Sequence, residues 1–247
     1  MASTSETGNA KNVANFQELI SYVTGYGPTY NPANAAITVA ALNAKEAAAA
    51  TSLTAVNTAL AVHTTAVNAR EIAFEAFEPI LARIASAAVA AGLSPEVIED
   101  IRSIIRKLRG SRSGPKPPTI PDDPATPEDE SSTSHSVSQM SYDSRIENFE
   151  KLIELLTAQP LYAPNEADLT IAALNTRLTN MRAENLAVVN AYTPLSNSRI
   201  ERNVLLYDET KGLVALAQAA KNYVKSIFGA SSPQWDQISA LKFTRPT

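Results

Sequence analysis

The chain has 247 residues, 45% of them apolar, with 25 acidic and 21 basic residues and a formal net charge of -4. That is enough apolar material for two modest cores, and the charge imbalance is too small to point to a polyanionic partner. Cysteine is absent, which excludes disulfides, thiol nucleophiles and thiolate-ligated zinc or iron–sulfur centres.

Residues 1–10 read as a flexible N-terminus. They lack a basic segment leading into an apolar one, so no secretory leader is expected and the cytoplasm is the default location. A first helix follows, with Phe16, Leu19, Ile20 and Val23 on one face. It stops in a turn, GYGPTYNP, that brings Tyr26 and Tyr30 close to Tyr22. Pro32 is placed where a new helix tolerates it, in the first turn. No Pro or Gly then interrupts residues 33–78. Ala49, Leu53, Val56, Leu60, His63 and Val67 form a stripe with steps of four and three, the pattern of helices packing nearly parallel. A third helix carries Phe77, Leu81, Ile84 and Ala88, with Pro79 either kinking it or starting it afresh. The fourth opens on Ser94-Pro95 and has Val97, Ile101, Ile104 and Leu108 on its apolar face. Its acids lie at the start and its bases at the end, which complements the helix dipole.

Residues 110–141 are rich in Pro, Ser and charge and nearly free of bulky apolar side chains. They read as a disordered linker, because so little apolar surface cannot offset the entropy of ordering.

Beyond it the first pattern returns. NFQELISYVTGYGPTYNPANAAITVAALN (15–43) matches NFEKLIELLTAQPLYAPNEADLTIAALN (148–175), with the second turn one residue shorter. Phe149, Leu152, Ile153 and Leu156 repeat the first helix, and Tyr162 and Pro164 the turn. Leu174, Leu178, Met181, Asn185, Val188 and Tyr192 repeat the stripe, which Pro194 is expected to end. Leu213, Leu216, Ala220, Tyr223 and Ile227 mark a third helix, and Ser232-Pro233 starts a fourth with Trp235, Ile238 and Leu241. No strand pattern competes. The expected fold is all-α: two tandem, internally duplicated bundles of about four helices each, at 11–109 and 142–243, joined by the linker and followed by a tail at 244–247.

Candidate sites are few. His63 lies on the apolar stripe with no second His or Cys near it in the repeats, and reads as a satisfied, half-buried side chain. Glu71, Glu75 and Glu78 share a helix face, but no Glu-x-x-His pair accompanies them, so a solvated acidic face is expected. The basic run Arg102, Arg106, Lys107, Arg109, Arg112 and Lys116 lacks aromatics for base stacking and abuts acidic residues, so no nucleic-acid partner is expected. Nucleophile, phosphate-loop and metalloprotease motifs are absent. The residues left as an interaction surface are the turn tyrosines Tyr22, Tyr26, Tyr30 and Tyr162, with Trp235; the tyrosine-rich turn reads equally as a staple that pins it onto its own helices.

The sequence therefore points to a non-enzymatic structural or protein-interaction protein. It is expected to have no catalytic, metal or cofactor site and to engage a protein partner or another copy of itself. The alternative rests on residues 47–69, 23 residues without a formal charge. That length spans a bilayer and suggests a membrane-active helix, though its many Thr residues weaken insertion.

The segments at Asn15–Gly27, the Ala-Ala-Leu-Asn block and the stretch from Tyr223, YVKSIFGASSPQWDQISALKF, together resemble a bacterial family of small all-helical proteins that has no assigned activity. The resemblance implies a helical fold and carries over no functional residues.

Overall fold

The computed structural model describes residues 8–75, 77–110 and 140–245. These form α1 (Asn9–Gly25), α2 (Val39–Glu75), α3 (Glu78–Ala90), α4 (Pro95–Arg109), α5 (Tyr142–Thr157), α6 (Ile171–Tyr207), α7 (Leu213–Phe228) and α8 (Pro233–Ser239), with no strand among the described residues. The protein is all-α. Most of the linker expected at 110–141, and the first seven residues of the expected flexible N-terminus, lie outside the described residues.

The residues shared by the two repeats make the same local bonds twice. Near the ends of α1 and α5, the Thr24 and Thr157 hydroxyls donate back to the carbonyls of Ile20 and Ile153, each at 2.7 Å. In the following turn, the Tyr30 hydroxyl donates to Ile37 O at 2.7 Å and the Tyr162 hydroxyl to Leu169 O at 3.2 Å. Thr38 and Thr170 each accept the backbone N–H three residues on, from Ala41 and Ala173 at 3.3 Å, and so cap α2 and α6. One turn into those helices, the Asn43 and Asn175 amides donate to the carbonyls of Val39 and Ile171. The extra residue in the first turn is accommodated at Gly27, whose φ of 58° would strain a side chain.

α2 and α6 are both 37 residues long. Aligned from their first residues, they share four buried pairs. Leu42 and Leu174, Ala49 and Met181, Val56 and Val188, and Phe74 and Leu206 are all buried. Pro194 does not end the second stripe as expected, because α6 runs through it to Tyr207. A mid-helix proline gives up one backbone bond and costs about 3 kcal/mol. Here the flanking turns are held by buried Ala191 and Leu195. At Pro79, by contrast, the chain does restart: α2 stops at Glu75 and the proline sits in the first turn of α3.

The packing does not follow the tandem arrangement expected from the repeats. The chain divides into two units, Met1–Thr64 with Asn190–Thr247, and Thr65–Val189. In the first unit α1 buries Phe16, Leu19 and Val23 against Leu213, Ala217, Ala220 and Val224 of α7 and Ile238 of α8, with Leu42 and Ala49 of α2 and Leu206 of α6 joining. In the second, Phe149, Leu152 and Leu156 of α5 meet Leu81 and Ile84 of α3, Ile101 and Leu108 of α4, and Leu174 and Met181 of α6. Phe77 and Phe149 pack edge to face with ring centroids 4.5 Å apart. Each core therefore takes its first helix from one repeat and its third and fourth helices from the other.

The physical reason is length. A 37-residue helix extends about 55 Å, and residues at its two ends join different cores.

Removing a fully buried ring leaves a cavity as well as losing transfer free energy. Phe149→Ala is expected to lower stability by about 3–5 kcal/mol in urea unfolding followed by circular dichroism. A loss below about 1 kcal/mol would place that ring outside the core.

Candidate interaction surface

The residues expected to form an interaction surface divide between the two units. Tyr30 is buried, with its ring edge-on to Tyr223 at 5.3 Å and its hydroxyl bonded internally. Tyr26 is half-buried. Its ring meets Phe228 at 5.3 Å, and its hydroxyl donates to Gln234 O at 3.0 Å, tying the turn to α8. Tyr22 packs at the edge of the same core, and half-buried Trp235 lies beneath the Lys225 ammonium at 5.3 Å from its ring centroid. Tyr162 lies in the other unit and is buried like Tyr30. Tyr26, Tyr30 and Tyr162 thus pin each turn to the residues beside it, while Tyr22 and Trp235 pack at the edge of the first core.

The remaining candidates are also placed. His63 is half-buried with its ring 5.7 Å from Tyr192. No group of three or more His, Cys, Asp or Glu suited to a metal occurs among the described residues. Glu71 and Glu75 are exposed, whereas Glu78 binds Arg145 at 3.2 Å and Arg109 at 3.5 Å. Arg106 of the basic run pairs with Glu99 at 2.8 Å; Arg112 and Lys116 lie outside the described residues. Thr51, Thr54 and Thr64 of the uncharged stretch turn their hydroxyls back to the carbonyls of Ala47, Ala50 and Leu60. No helix among the described residues is long and apolar enough to cross a membrane.

Two features escaped the sequence reading. The first is a polar cluster on the inward stripe of the second unit. The Arg70 guanidinium lies 3.8 Å over the Tyr142 ring and donates to Asn185 Oδ1 at 3.3 Å, and the Asn185 amide donates to Asp143 at 2.8 Å. Arg202 occupies the equivalent position of α6 but turns to its neighbour Asn203 at 2.8 Å. The recurrence of this arginine was readable once the long helices were aligned beyond the Ala-Ala-Leu-Asn block.

The second is a groove of about 610 Å³ where Ala82, Arg83, Ser86 and Ala90 of α3 face Leu161 and Glu166. Among the positions that differ between the repeats here, one bears directly on the space over the turn tyrosine. Aligning the buried residues Ile80, Leu81, Ile84 and Ala88 with Leu216, Ala217, Ala220 and Val224 sets Ala87 opposite Tyr223. The Tyr223 ring covers Tyr30 in one unit, and in the other Ala87 and Tyr162 line the groove instead. A bidentate Arg83–Asp168 pair stands at its edge, with one contact of 3.0 Å. The hydrogen bond from Arg83 holds the Asp168 carboxyl below its ordinary range. At Asp168 a second, smaller groove of about 460 Å³ runs past Ile72, Ala73 and Arg177. Both offer apolar contact beside charged side chains.

Burial pushes the Tyr30 and Tyr162 hydroxyls up from 10.0 to about 12. The unfolded chain releases these protons first, so their contribution to stability is complete below pH 10.0 and is lost as pH rises through about 12. Helix content should hold to pH 10 and fall between 10 and about 12, together with a late-titrating class among the eight tyrosines. A tyrosinate titration in which all eight ionise together near pH 10 would contradict this placement.

Comparison of the chain with protein-family models, with curated proteins and with solved structures returns no match.

Proposed function

We propose that the protein is a non-enzymatic interaction protein of the cytoplasm that offers two related helical surfaces to a protein partner or to another copy of itself. One observation carries this reading. Ile72 of α2 and Val204 of α6 occupy equivalent positions, one in each unit, and are 67% and 60% exposed. The residues two positions on, Phe74 and Leu206, lie on the opposite side of each helix and are buried, so the helices are oriented alike and the same outward position stays bulky and apolar in both repeats. A single exposed apolar side chain is ordinary; the same one kept on both copies is what a duplicated contact surface requires. Ile72 also borders the smaller groove beside the Arg83–Asp168 pair. Aliphatic contact flanked by charged side chains is the make-up of a protein interface with an apolar centre and a polar rim.

The test is crosslinking from the native cell with the full chain as bait, alongside sedimentation velocity of the purified protein. Ile72→Asp and Val204→Asp, both exposed, are expected to change stability by less than about 0.5 kcal/mol. Each is expected to weaken partner capture or self-association, and the pair to weaken it more than either alone. Capture and sedimentation unchanged in the double variant would sink the reading.

A further inference from the structure

The cores raise a question separate from any external partner: what each repeat binds in order to fold. α1 belongs to the first repeat and is covered by α7 and α8 of the second; α5 opens the second repeat and lies on α4, with Phe149 against Phe77 of the first. The polar bonds follow the same exchange. Asn15 Nδ2 donates to Lys242 O at 2.7 Å. Asn12 Nδ2 donates to Thr244 O at 2.7 Å, and its Oδ1 accepts from Thr244 N–H at 3.0 Å. In the other unit Arg145 reaches Glu78 and Arg83 reaches Asp168. The buried position of Asn15 recurs as buried Asn148. Every one of these contacts joins a residue before position 110 to one after position 140.

The exchange is reciprocal. Each repeat gives its first helix to the other's third and fourth helices and receives the same in return, which is the isologous pattern of a twofold dimer. Taken alone, a repeat of this conformation leaves one face of α1 and one of α3, with Phe16, Leu19, Phe77 and Leu81, facing water.

We propose that each repeat is an incomplete fold whose binding partner is the other repeat, so that the chain is a covalently joined form of an exchanged two-repeat dimer. The apolar faces of α1, α3, α5 and α7 are recognition surfaces for a second copy of the same helix pattern. The covalent connection between the repeats raises their effective concentration and adds none of the contacts above.

The experiment cuts the folded, full-length chain. A site-specific protease sequence is inserted after Thr126, and the protein is cleaved under native conditions. A denaturing gel is expected to show two fragments, while light scattering on a native column still gives the mass of the uncut chain. The melting temperature, independent of concentration before the cut, becomes dependent on it afterwards. Two species of about half the mass, each retaining its helix content, would overturn the proposal.

Two self-sufficient bundles resting against each other would also stay together, and a second measurement separates that case. Phe77→Leu and Phe149→Leu keep an apolar side chain but remove the edge-to-face contact. Each is expected to raise the dissociation constant of the cut fragments at least tenfold, and the pair by less than the product of the two. Fragment affinity unchanged by either substitution, or losses that multiply without coupling, would place the two rings in separate cores and overturn it.

Discussion

Two 37-residue helices set the terms for everything else in this protein. At 1.5 Å per residue each extends about 55 Å, more than a small core can wrap. The chain that leaves α1 along α2 therefore enters a different core, and α3 and α4 must find another first helix to cover them. α5 supplies it, and α7 and α8 return the service to α1. Because α2 and α6 are equal in length, the exchange is balanced. A break in α6 at Pro194 would have destroyed that balance, and burial of Ala191 and Leu195 on either side holds the helix across the missing backbone bond.

Within this frame the two similar segments share their local bonds and differ on their surfaces. The Tyr–carbonyl bond, the Thr caps and the Asn back-bonds are the same in both. Differences appear where a side chain is free to vary without disturbing these. Tyr223 fills the space over Tyr30, and Ala87 leaves a groove beside Tyr162. Arg70 joins an inward network with Asn185 and Asp143, and Arg202 does not. Half-buried polar groups of this kind favour one packing register, because a slipped helix would separate the guanidinium from its partners. Lys221 has a comparable task in the other unit. It is buried, its pKa is lowered by loss of solvent, and its ammonium donates to Ser239 O and Leu241 O at 3.0 Å, anchoring the end of α8.

The local code was largely legible. The all-α class and the helix starts at Ser94-Pro95 and Ser232-Pro233 follow from periodicity and capping, which act over a few residues; the stripes hold only in part, since Leu60 and Tyr192, expected on them, are exposed. Ile105 replaced Ile104 as the more buried side chain of α4, a shift of one position that an amphipathic pattern does not resolve. The sequence singles out the turn tyrosines, but it cannot tell a ring that faces a partner from one that faces its own chain. Tyr30 and Tyr162 face inward because each hydroxyl has a carbonyl seven residues on to bond. The groove beside Arg83 was not legible at all, since it depends on which α3 residue stands opposite Tyr162.

The sequence by itself determined the helices, their caps and the fact that one pattern is written twice, because these depend on interactions between near neighbours along the chain. Only the tertiary structure decided which repeat completes which core. Periodicity marks a face as apolar without naming what covers it, and two equivalent repeats offer two chemically equivalent covers. The choice falls to geometry: helices too long to fold back on themselves deliver each repeat's second half to the other's first helix.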